Sequence, residues 1–88
     1  MTTFDIAEHL NTDEDIRAFL QEVADTGDSS DFLHAVGIAA RAKGMTAVAS
    51  DAGVSRASLY KALSKDGKPA FDTVFNVVKS FGLTLAVH

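Results

Sequence analysis

Cysteine is absent from this chain of 88 residues, which excludes a disulfide framework and any thiolate metal site. No apolar run approaches the ~18 residues that a membrane-spanning helix needs. The opening MTTFDIAEHL is acidic and lacks the basic start of a secretory signal. Together these absences point to a reducing, cytoplasmic setting and to no membrane partner. Internal repeats, low-complexity tracts and long linkers are missing as well. A chain this short makes one domain and buries only about two-thirds of its unfolded surface. Its core must therefore be close packed, or completed by dimerisation.

Positive charge is scarce overall, with 8 Lys and Arg against 12 Asp and Glu and a net charge of −4. Its distribution matters more than its sum. Residues 1–31 hold nine of the acids and Arg17 alone among the bases, a net of −8, whereas residues 32–88 carry seven bases and three acids, a net of +4. A basic module with an acidic lobe is a different object from an acidic protein. The lobe reads either as a solvated helix face that keeps the chain soluble or as a docking surface for a partner.

Hydrophobic periodicity predicts an all-α domain of five helices and a last strand. Phe4–Leu10 reads as a short opening turn or two. Thr12 reads as an N-cap, with Asp13, Glu14 and Asp15 at the positive end of the helix dipole. Ile16, Phe19, Leu20 and Val23 form one apolar stripe, which Gly27 ends. Ser30 is expected to cap a helix over Asp31–Lys43, with Phe32, Leu33, Val36, Ala39 and Ala40 inward and Gly44 just past its end. Asp66-Gly67-Lys68-Pro69 signals a turn. Helical spacing returns over Phe71–Phe81, and Phe19, Phe32, Phe71, Phe75 and Phe81 are expected in the core. Residues 83–88 read as a β-strand. A lone strand cannot satisfy its own backbone, so it is expected to pair with the same segment of a second copy.

The most informative stretch is Met45–Leu63, MTAVASDAGVSRASLYKAL. It reads as two short helices joined at Gly53, with Thr46 capping the first and Ser55 the second. Ala49 is small where the helices cross, and Val48, Ala52, Val54, Leu59 and Ala62 are apolar on the facing sides. This is the spacing of a helix-turn-helix, whose second helix enters the major groove of DNA. Arg56 then lies at the end that reaches base edges, where a bidentate contact to guanine gives ~1–3 kcal/mol of discrimination. Ala57 offers a methyl contact to thymine, and Lys61 reaches a base or a phosphate. Tyr60 either donates to a phosphate or packs on the following loop. Lys65 and Lys68 suit backbone phosphates, and Thr46 with the free amides at its helix start is a further phosphate site. The bland alternative is an ordinary helical hairpin with polar residues on its surface.

No enzyme is visible. His9, His34 and His88 share no ligand spacing, the acids at 13–15 point in different directions around a helix, and nothing sets a nucleophile beside a base. No metal or cofactor is expected.

The segment AVASDAGVSRASLYKALSKDGKPAFDTVFNVVKSFGLTL, with AEHL and DEDIRAFL before it, resembles the antidote proteins of bacterial toxin–antitoxin modules, in particular their HigA-like group. That resemblance implies a λ-repressor-like fold and a dimer that represses its own operon by binding double-stranded operator DNA. It also implies neutralisation of a RelE/ParE-like toxin, which is basic in such modules. The recognition-helix role falls on Ser55, Arg56, Ala57, Tyr60 and Lys61. Ala70 departs from the pattern, which more often has a capping serine there. Two other readings use the same residues: a stand-alone phage-like repressor, and a protein-interaction module that has lost DNA binding.

Overall fold

The computed structural model describes residues 9–64 and 67–83. Five helices follow one another: α1 (Asp13–Thr26), α2 (Ser29–Lys43), α3 (Met45–Ala52), α4 (Arg56–Ala62) and α5 (Phe71–Ser80). The described residues contain no strand. Leu83 lies in none, and 84–88, the rest of the expected strand, fall outside them, as do residues 4–8 of the expected opening segment.

Two capping boxes start the long helices. The Asp15 amide donates to Thr12 Oγ1 at 3.1 Å while the Thr12 amide donates to Asp15 Oδ2 at 3.2 Å. Asp28 and Asp31 repeat the exchange at 2.9 and 3.1 Å. This corrects the expected cap at Ser30. The carboxylate of Asp28 is the better partner because Asp31 stands three residues on and returns the bond, so α2 begins at Ser29 and Ser30 sits inside its first turn. Gly27 fits this junction because a Cβ there would come within 2.8 Å of the Asp31 Cβ.

Gly44 both ends α2 and starts α3, with φ 115° and no side-chain cap. Thr46 is therefore not a cap: α2 runs so directly into α3 that helical geometry is already set at Met45. The second join follows expectation. Gly53 takes the left-handed conformation at φ 74°, its amide donates to Ser50 O, and the Val54 amide donates to Ala49 O at 3.0 Å. These two bonds form a Schellman close, and they turn the chain so that α4 leaves at once. Ser55 then caps α4, accepting from the Ser58 amide at 3.0 Å.

α3 is the hub, packing against α2, α4 and α5, while α1 lies on α2. Small and branched side chains make the close contacts. Ala35, Val36, Ala39 and Ala40 of α2, Val48, Ala49 and Ala52 of α3, Leu59 of α4 and Val77, Val78 and Phe81 at the end of α5 form one core with Ile16 and Leu20 of α1. Phe19, Phe32 and Phe75 are only half-buried, and Phe71 is 71% exposed, contrary to its expected place inside. The periodicity of α5 continues to its first residue, but the buried residues of the helix are Val77 and Val78, in its second half, and Phe71 stands outside the core.

Two cations fasten the end of α5. Lys43 Nζ donates to Ser80 O at 2.7 Å, lies 3.4 Å from Asp13 Oδ1 and stands over the Phe81 ring. Arg17 Nη1 donates to Phe81 O at 3.2 Å. Carbonyls that a helix end leaves unpaired are thus bound by α1 and α2.

Replacing Lys43 by Met keeps the apolar stem but removes the ammonium, and the expected loss is about 1–2 kcal/mol of unfolding free energy, read by urea denaturation. No atom lies within 4 Å of a Cβ built on Gly53, so only its backbone angle resists substitution. Gly53→Ala is expected to cost about 1–2 kcal/mol, and Gly53→Asn, which tolerates that angle, measurably less. An Asn variant less stable than the Ala variant in the same titration contradicts this account.

Candidate nucleic-acid interface

The seven residues of α4 divide by direction. Leu59 is fully buried and roots the helix against α3, with Ala62 half-buried beside it. Arg56, Ala57, Tyr60 and Lys61 are exposed, as expected of a reading face, and so is Ser55 at the cap. Lys68 is exposed too, after the turn. Lys65 falls outside the described residues. Thr46 is exposed on the first turn of α3, away from the cap position assigned to it.

Arg56 and Tyr60 form a pair. Arg56 Nη2 donates to Tyr60 Oη at 3.2 Å, and the guanidinium carbon stands 5.3 Å from the ring centroid. Tyr60 therefore does not stand alone. Its hydroxyl accepts from Arg56 and keeps its own proton available for an acceptor outside. The four-residue spacing that makes helix neighbours carried this signal in the sequence. The ring lays the guanidinium along the surface of α4, narrowing the positions it samples.

A hollow opens between α4 and the start of α5, lined by Lys61 and Lys68 with the hydroxyl-bearing Ser58, Ser64 and Thr73. The two lysines were expected from the sequence; the three hydroxyls were not, since Ser58 and Thr73 lie inside the first turns of α4 and α5 and Ser64 just past α4, with no motif of their own. Ser58 Oγ accepts from Ser55 Oγ at 2.9 Å, and Ser64 Oγ donates to Lys61 O at 2.8 Å. Ala70, at the N-cap of α5, makes no side-chain cap bond. The result is a concavity bearing two cations and three hydroxyls, with Lys61 shared between it and the exposed face of α4, suited to a polyanion. Among the described residues no acidic side chain forms an ion pair with Arg56, Lys61 or Lys68; the ion pair there is Lys43 with Asp13. The acids of α1 sit on a helix that packs against α2.

Among the described residues no group of His, Asp and Glu is arranged to hold a metal ion, and no helix is long and apolar enough to cross a membrane. His9 and His34 are exposed.

The chain is 45% identical over 85 residues to an "Uncharacterized protein" of Haemophilus influenzae (strain Rd), covering 97% of this chain and 88% of the relative. No solved structure matches. A family model described as "Probable addiction module antidote protein" matches residues 1–88. The chain belongs to this family of addiction module antidotes, so its role is that of an antitoxin and its implied partner is a cognate toxin.

Proposed function

We propose that this antitoxin is HigA-like and λ-repressor-like: α3 and α4 act as a helix-turn-helix on double-stranded operator DNA, and the chain restrains a RelE/ParE-like toxin while repressing its own operon. The observation that carries the DNA reading is the outward set of Arg56, Ala57, Tyr60 and Lys61 on a helix rooted by Leu59, beside the hollow of Lys61 and Lys68. Arg56 reads base edges, supported along its length by the Tyr60 ring. Lys61 and Lys68 hold phosphates on either side of the hollow, joined by Lys65, Thr46 and the Ser55 cap. The toxin class rests on the sequence resemblance. A stand-alone repressor has the same DNA-binding face, but an addiction module antidote also has a toxin to hold, and it acts by binding, not by turnover.

The negative net charge does not oppose this reading. The phosphate backbone responds to local cations within about one Debye length, ~8–10 Å, and residues 32–88, which carry the helix-turn-helix, have seven bases against three acids. Binding to promoter DNA should weaken steeply with salt, by roughly 0.9 log units in affinity per phosphate contact per log unit of salt. In the same assay Arg56→Ala is expected to flatten discrimination among operator mutants, at about 1–3 kcal/mol for the contacted base. Lys68→Ala should weaken every sequence alike and lower the salt slope by about one contact. Affinity that is flat in salt, or an Arg56→Ala variant that keeps the full base preference, counts against this assignment.

The proposal extends to a two-fold dimer joined through residues 83–88, with paired reading helices about one DNA turn, ~34 Å, apart. Deleting 83–88 should give a monomer in light scattering and lose binding to a palindromic operator. A dimer that survives the deletion refutes the pairing.

A further inference from the structure

Phe71 is the most exposed large apolar side chain among the described residues, at 71%. Its ring lies 5.9 Å from that of Phe75 on the next turn of α5. Burying such a side chain is worth roughly 1.5–3 kcal/mol, which a free chain forgoes. It does not stand alone. A groove beside it is lined by Phe32 and Leu33 of α2 and by Pro69 and Val74. Over Ser29 and Phe32 the groove continues into a second hollow lined by Ala24, Gly27 and Asp28. An apolar strip thus runs from the end of α1, across the start of α2, to the start of α5.

Its border is acidic. Asp28 lines the second hollow. Asp31 Oδ2 would stand 2.9 Å from a Cβ built on Gly27 of the same lining, and Asp25 and Asp72 are exposed on the helices that bear Ala24 and Phe71. Lys68 is the cation of the groove. An apolar centre with a polar, mainly acidic rim is the make-up of a protein-binding patch. The rim also chooses the occupant. A two-fold contact between two copies sets each patch against itself, bringing these carboxylates together at a cost of several kcal/mol for like charges in contact. A basic partner is attracted by the same groups.

We infer that this strip is the surface that holds the toxin: a basic protein that seats an apolar side chain between Phe32 and Phe71, with its cations against Asp25, Asp28, Asp31 and Asp72. The inference deepens the antitoxin role and rests on it; Arg56 and Tyr60 do not line the strip, whereas Lys68 lines both its groove and the hollow beside α4. Phe71 is the anchor. The acids set the encounter rate and exclude a second copy.

The test titrates the full chain with the purified toxin of its own addiction module by calorimetry, alongside light scattering of the free chain. Phe71→Ala removes a solvent-exposed ring, so the fold should persist, and it is expected to weaken toxin binding roughly tenfold or more with the mass of the free chain unchanged. Asp25→Lys, which puts a cation near the C-terminal end of α1 where the helix dipole favours it, should weaken binding several-fold and reduce its salt dependence. Toxin affinity unchanged in Phe71→Ala overturns the inference. So does a changed mass of the free Phe71→Ala chain with toxin binding intact, which assigns the strip to a copy–copy contact. A wild-type chain that does not bind the toxin at all overturns the antitoxin role and this inference with it, so the two failures are distinct.

Discussion

Burial of α3 is the constraint on which the remainder of the molecule depends. A helix of eight residues is too short to persist in water by its own hydrogen bonds. It persists because Met45, Val48, Ala49 and Ala52 are all taken out of solvent, against neighbours on α2, α4 and α5. Small side chains make this possible. Ala35, Ala39 and Ala40 on α2 and Ala49 and Ala52 on α3 let the helix axes approach closely, and the contact area comes from Val36, Val48, Val77 and Val78. α4 is shorter still and has one fully buried anchor, Leu59. Its outward face is therefore presented by α3 and the Gly53 turn, not by any stability of its own.

The helix ends are supplied with partners from unlike sources, and the pattern follows position. Where a helix starts at the surface, a side chain three residues away completes a reciprocal pair, as at Thr12 and Asp28. Where two helices abut, the backbone itself closes the gap, as between Ala49 and Val54. Where a helix ends against the core, distant cations reach its carbonyls, as Lys43 and Arg17 do for Ser80 and Phe81. Arg17, isolated among acids in the sequence, and Lys43, in the last turn of α2, both serve another helix.

Much of this was legible from the sequence because it is local. The Thr12 cap, the ends at Gly27 and Gly53, the Ser55 cap and the four outward residues of α4 follow from spacing within a few positions. Errors arose where two local signals competed. Ser30 and Asp28 both suit an N-cap, and the reciprocal partner at Asp31 decides between them. Thr46 also looks like a cap until Gly44 is seen to serve both α2 and α3. The remaining misses are tertiary. Nothing in the periodicity of this stretch tells Phe71 from Phe81; the difference lies in where the core closes, which takes in Val77, Val78 and Phe81 and leaves Phe71 outside. The Tyr60 and Arg56 pair was readable from its spacing, whereas the hollow that gathers Ser58, Ser64 and Thr73 exists only once α4 and the start of α5 are both placed by α3.

α5 is tethered unevenly. Its last carbonyls are gripped by α1 and α2, while its first amides follow Ala70, which offers them no side-chain acceptor. Order along this helix should decline from Phe81 towards Phe71, with the opening turn fraying before the rest. The loosest turn of the helix thus carries both its barest aromatic ring and the edge of the lysine-lined hollow. A ligand arriving at either place completes that turn as it binds, so part of the contact energy is spent on ordering backbone, and the affinity reached will be lower than the area covered would imply.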